Sequence, residues 1–219
     1  MVAYHPPAEY LCDYAAGTAC EAVSVLIATH LALCPQCRRQ VSALDHLGGV
    51  MLEDLPPASL SHHAPELPTF KEPADILPPQ LTANWPVEPS IPEPLRSYLA
   101  MAAKPPVWRW RLPGLSEMAV AVMGENRRSM AHLMRIPAGR AMPRHKHFGH
   151  ELTLVLSGGF SDETGHYERG DIGYADFNTD HRPIADRGAP CICFVVMDAP
   201  LKLTGPLGRM INWAFGTSR

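Results

Sequence analysis

Two hydrophobic periods divide this chain. Up to about residue 55 the apolar positions recur every three to four residues, as on helices; from about residue 105 they alternate singly, as on strands. AEYLCDYAA reads as a short amphipathic helix stopped by Gly17. Thr18 and Glu21 have capping-box spacing, so their side chains are expected to satisfy free amides at the next helix start. That helix, CEAVSVLIATHLAL, is apolar almost all round and should be buried on more than one side, in its own core or against a partner. Pro35 disfavours helical geometry at Cys34 and suits the first position of a third helix, PQCRRQVSALDHL, expected to break near Gly48-Gly49.

Prolines crowd the stretch from Pro56 to Pro94, which carries little apolar periodicity and reads as an extended linker. Within it Ala74–Leu77 fits one helical turn, and PLRSYLAMAA (94–103) a short helix with Pro94 first. Beyond it VWRWRL, MAVAVMG, MAHLMRI, ELTLVLS, GHYERGDIGYA, CICFVVMDA and RMINWAF read as strands of a sandwich or small barrel. Trp108 and Trp110 alternate with Arg109 and Arg111, which fits a half-buried edge strand. The expected architecture is α + β in two domains: a small helical unit over 1–55, a Pro-rich linker over 56–104, and an all-β domain over 105–219.

Composition narrows the function. The 219 residues carry a net charge of -3, so direct nucleic-acid binding is not favoured. The N-terminus MVAYHPPAEY has no basic start or apolar run of a secretory signal, and VSVLIATHLAL is too short to span a bilayer. The expected location is cytoplasmic, where the six cysteines stay reduced and favour metal over disulfides.

Two groups carry metal-ligand spacing. His30 and Cys34 lie four apart on one helical face, and Cys37 falls in the first turn of the next helix. With His5 as fourth donor they make a closed Cys2His2 zinc site, a staple that a small helical unit needs. Cys12 and Cys20 lack ligand spacing and are expected as small core residues; His46 reads as a helix-face residue and His62-His63 as loop residues. In the second group His145 and His147 point to one face of a strand, Glu151 opens the next strand, and His181 comes from a later one. His150 points away from Glu151 and is left out. Cys191 and Cys193 share a strand face, either as inert core thiols or as oxidation targets near the metal. The residues alone do not choose among iron, manganese, nickel and zinc at the second site.

Gly139-x5-His145-x-His147-x3-Glu151-x6-Gly158 resembles the first motif of the cupin superfamily at every position. Gly170-Asp171 with His181 resembles the second, departing at Asp176, where proline is usual. His-x3-Cys-x2-Cys with an upstream histidine is similar to the zinc-binding anti-sigma domain, and the two together look like the ChrR family of anti-sigma factors. The resemblance implies zinc at His5, His30, Cys34 and Cys37, and a second metal, zinc in that family, at His145, His147, Glu151 and His181. It matches Cys191 and Cys193 to a paired cysteine of the family. It also implies a cytoplasmic, non-enzymatic repressor of a group IV (ECF) sigma factor that answers singlet oxygen or related oxidants. The competing reading, a cupin dioxygenase or isomerase with an N-terminal zinc extension, leaves His30-x3-Cys34-x2-Cys37 without a role.

Overall fold

The computed structural model describes residues 2–59, 91–100, 107–112, 115–120 and 130–204. Its helices are α1 (Ala8–Ala15), α2 (Glu21–Leu33), α3 (Pro35–Glu53) and α4 (Glu93–Ala100). The strands are β1 (Arg109–Leu112), β2 (Leu115–Ala119), β3 (Met130–Ile136), β4 (His145–His147), β5 (Glu151–Ser157) and β6 (Gly159–Ser161). They continue as β7 (His166–Glu168), β8 (Ile172–Ala175), β9 (Asp180–His181), β10 (Ile184–Ala185), β11 (Cys191–Met197) and β12 (Leu201–Leu203).

Strand β11, CICFVVM, is buried at every position, and its alternation explains the layering. Ile192, Phe194 and Val196 face a core shared with Leu26 and Ile27 of α2, whereas Cys191, Cys193, Val195 and Met197 face a second core with Val155, Phe160 and Tyr167. The large sheet, antiparallel in the order β1-β2-β3-β11-β5-β8, is therefore a middle layer. Helices cover one face, and the other closes a barrel against the three-stranded sheets β10-β6-β7 and β12-β4-β9. Strand β1 is an edge as expected, but the two tryptophans do not share a buried face: Trp108, just ahead of the strand, packs on the helix-side core, while Trp110 is exposed beside a register shift between Trp110 and Leu112.

Several local expectations need correction. Thr18 and Glu21 form no capping box: the Thr18 hydroxyl bonds Asp13, and α2 starts without a side-chain cap. Cys12 and Cys20 are exposed, not core residues, because the buried position of α1 is Leu11 and Cys20 sits outside α2 as its N-cap. Gly48 and Gly49 do not end α3, which runs on to Glu53; two glycines weaken a helix but do not remove its hydrogen bonds. Helix α4 begins at Glu93, one residue ahead of Pro94, and buries Leu95 and Leu99 against α2. Strand β2 sits earlier than MAVAVMG implied, since Leu115 to Ala119 pair with β1 and β3. His62-His63, Ala74–Leu77, most of the Pro-rich stretch and RMINWAF lie outside the described residues. Among the described residues no helix is long and apolar enough to cross a membrane.

Two candidate metal centres

The first centre forms where α2 hands over to α3. Cys34 is the single residue between them, in extended geometry that Pro35 imposes, with Pro35 opening α3. Its Sγ accepts from the Cys37 amide at 3.4 Å, and Arg38 caps the C-terminal carbonyls of α2 at Leu31. His5 comes in from the N-terminal segment, its Nδ1 3.4 Å from both Cys34 Sγ and Cys37 Sγ. His30 points in from α2, so one ligand atom from each of His5, His30, Cys34 and Cys37 lies within 4.8 Å of the others.

The donor chemistry fits zinc. Bond lengths of about 2.3 Å to sulfur and about 2.0 Å to nitrogen in a tetrahedron put the two atom types about 3.5 Å apart, close to what His5 and the thiols adopt. The His30 Nδ1 donates to the Gly170 carbonyl at 2.9 Å, which leaves Nε2 bare, and that buried atom has no hydrogen-bond partner. Burial pushes His30 down to about 4, so it is neutral at physiological pH and its lone pair is available. Burial and the neighbouring Cys34 push the Cys37 thiol up to about 12, so a metal must displace its proton on binding.

The second centre lies inside the barrel. His145 and His147 project inward from β4 on either side of exposed Lys146, and His181 pairs with His145 from β9. Their Nε2 atoms converge, with His181 3.0 Å from His145 and 3.1 Å from His147. The opposite nitrogens are tied back. His145 Nδ1 donates to the Pro143 carbonyl at 2.9 Å, and His181 Nδ1 donates to Asp162 at 2.7 Å. Burial pushes His145 and His147 down to about 4, so both are neutral at physiological pH and able to ligate, and the convergence of three ring nitrogens suits a cation.

The Glu151 carboxylate lies outside this group of three nitrogens. Strand β4 pairs with β9 and β12, while β5 belongs to the large sheet, so Glu151 approaches the histidines from a different sheet. Its carboxylate lies 3.6 Å from His147 Nδ1 and accepts from the Thr153 hydroxyl at 2.9 Å. Burial raises its pKa. His150 is exposed and stacks on Tyr174, outside the centre as expected. Cys191 and Cys193 place their sulfurs 3.4 Å apart in the barrel core, and Cys193 lines the same cavity as His145 and Glu151. The contact with Cys191 and burial raise the Cys193 pKa, which keeps it a thiol.

Sequence reading missed Asp162. Burial alone would raise its carboxyl, but bonds from His181 and Thr164 outweigh burial and hold it down to about 2. It sits in a loop with no periodicity, and only its place in the fold marks it. The departure at Asp176 is harmless because the Asp176 carboxylate accepts from the Asn178 amide and the Thr179 hydroxyl, building the turn that a proline would otherwise set.

A His2Cys2 cluster at a helix junction joined to a three-histidine β-barrel of cupin type defines a protein with two groups of side chains able to hold a metal ion. Residues 101–199 match the family model described as the ChrR cupin-like domain. Over 211 residues, 96% of this chain and 97% of the relative, it is 37% identical to the anti-sigma-E factor ChrR of Cereibacter sphaeroides. Among solved structures it is similar to ChrR in the crystal structure of Rhodobacter sphaeroides SigE in complex with the anti-sigma ChrR. The TM-score is 0.72 at 37% identity, covering 90% of this chain and all of that one. The chain belongs to the ChrR family of anti-sigma factors, regulatory proteins rather than enzymes.

Proposed function

We propose that this protein is a cytoplasmic anti-sigma factor that sequesters a group IV (ECF) sigma factor and releases it under oxidative stress, by singlet oxygen or related oxidants. The observation that carries the reading is the likeness, over nearly the whole chain, to a relative crystallised with a sigma factor. Zinc at His5, His30, Cys34 and Cys37 locks the N-terminal segment, α2 and α3 together. A second divalent metal, zinc by family likeness, is held by His145, His147 and His181, with Glu151 as the carboxylate across the cavity. The cupin receives the signal, with Cys191 and Cys193 as an oxidisable pair beside the centre.

We place the sigma-factor contact elsewhere than on α2, whose apolar positions Ala22, Leu26, Ile27 and Leu31 are buried in this fold. Helix α3 offers a surface instead. Its apolar row starts inside at Val41 and Leu44 and continues at the same spacing into solvent as Leu47 and Met51, with Val50 beside them. An apolar band that outruns its own core fits a protein partner.

Replacing Cys34 and Cys37 together with Ser is the test. The unaltered chain should co-purify with its sigma factor and two metal ions; the double variant should lose the first ion, release the sigma factor and raise transcription of its targets. Full repression by the double variant would overturn the zinc-clasp reading. One iron per chain with dioxygen consumption would favour the enzyme.

A further inference from the structure

We infer that the two metal centres are coupled through one continuous set of contacts running from the N-terminal segment to His181, so that filling either centre raises the affinity of the other. The inference rests on the metal-binding reading of both centres and on nothing about the sigma factor.

The contacts begin at the turn between β7 and β8. Buried Asp171 accepts from the amides of Ala3 and Tyr4 through Oδ1, at 2.7 and 3.1 Å, and from the Glu168 amide through Oδ2 at 2.8 Å. The Ile172 amide donates back to the Tyr4 carbonyl at 3.1 Å. The residue before Asp171 supplies the carbonyl that orients His30. Both histidines of the first centre are thus placed by a single cupin turn: His30 directly, and His5 through Tyr4, its chain neighbour.

The same turn leads on to the second centre. The Tyr4 ring lies against Tyr167, with centroids 4.5 Å apart. The Thr164 hydroxyl donates to Asp162 Oδ1 at 2.5 Å, so its 2.8 Å contact with the Tyr167 hydroxyl has tyrosine as donor. Asp162 Oδ2 in turn holds His181 Nδ1. From Tyr4 to His181 each step is a direct contact, and Tyr167 and the Asp162 side chain are almost wholly buried.

The sign follows from ordering. A metal on the three Nε2 atoms fixes His181 and, through Asp162, Thr164 and Tyr167, the platform under Tyr4. A first centre whose His5 arm is already held loses less conformational freedom on closing around its own ion. Linkage makes the effect reciprocal, and such couplings commonly reach about 5- to 150-fold.

The experiment uses the full chain stripped of metal and titrated with cobalt(II). The thiolate-to-cobalt charge-transfer absorption reports the Cys34/Cys37 centre. Its affinity should be at least about fivefold weaker in a His145→Ala/His147→Ala variant than in the unaltered chain. In a Tyr167→Phe background, which keeps the ring and removes the hydroxyl, that ratio should fall below about twofold, as should Thr164→Val. By reciprocity Cys34→Ser/Cys37→Ser should weaken the second centre, followed by chelator competition, by the same factor. This arm holds even if the double histidine variant folds poorly. Equal affinities in the first comparison, or a ratio untouched by both Tyr167→Phe and Thr164→Val, would overturn the coupling. A chain that never develops the thiolate band would remove the metal reading and the coupling with it.

Discussion

His30 and Gly170 are 140 positions apart in the chain, yet the imidazole Nδ1 rests 2.9 Å from the glycine carbonyl. The bond settles which nitrogen faces the cysteines, and the same burial makes the site sensitive to acid. Unfolded, His30 titrates near 6.5; folded, near 4, as do His145 and His147. Between those values the unfolded chain binds protons that the folded chain refuses. Stability is therefore full above about pH 6.5 and is lost as pH falls towards 4. The urea midpoint of metal-stripped protein should drop across this window, and zinc should move the drop to lower pH. A midpoint that stays flat from pH 7 to 4 would contradict the buried, neutral assignment.

Asp162→Asn should weaken metal binding at the barrel centre by about 10- to 100-fold, because the neutral amide holds the His181 tautomer less firmly. The melting temperature should change little, since Asn can still accept from the Thr164 and Gly165 amides that bond Asp162. Chelator competition reads the affinity; unchanged binding would return Asp162 to a purely structural role.

Gly158 has φ +65°, and a Cβ there would come within 2.6 Å of the Pro190 carbonyl oxygen. Gly158→Ala should cost about 2 kcal/mol or more, the left-handed penalty plus the clash, and lower the melting temperature by several degrees. A variant melting with the parent would mean that the turn relaxes freely.

Changing Leu47 and Met51 to Asp should weaken sigma-factor binding about tenfold or more while leaving metal content and melting unchanged, because both side chains are already more than half exposed. Binding at parental strength would exclude this part of α3 from the interface.

Much of this protein was legible in its sequence, and the failures have causes. The period-two run MAHLMRI became β3 residue for residue, and Pro35 set the α2–α3 junction as its chemistry demands. His5, His30, Cys34 and Cys37 were found together because ligand chemistry leaves few alternatives, although His5 lies 29 residues from Cys34. Glu151 stands apart from the three converging imidazoles because spacing gives the face of a strand and not its sheet: β4 and β5 are neighbours in the chain but belong to different sheets. The Thr18 cap failed because Asp13 competed for the same hydroxyl. Asp162 acts through a loop carboxylate, which no periodicity announces, whereas Gly170 and Asp171 are marked by their likeness to the second cupin motif but not as supports of His30 and Tyr4.

Helix α4 seats Leu95 and Leu99 beside α2, the helix that α3 also adjoins. The chain thus departs from one layer at the end of α3 and rejoins it at α4, with the proline-dense stretch between. A protease nick within that stretch should accordingly leave two fragments that elute as one species and part only in denaturant, so severing the covalent thread would not by itself free a captured partner.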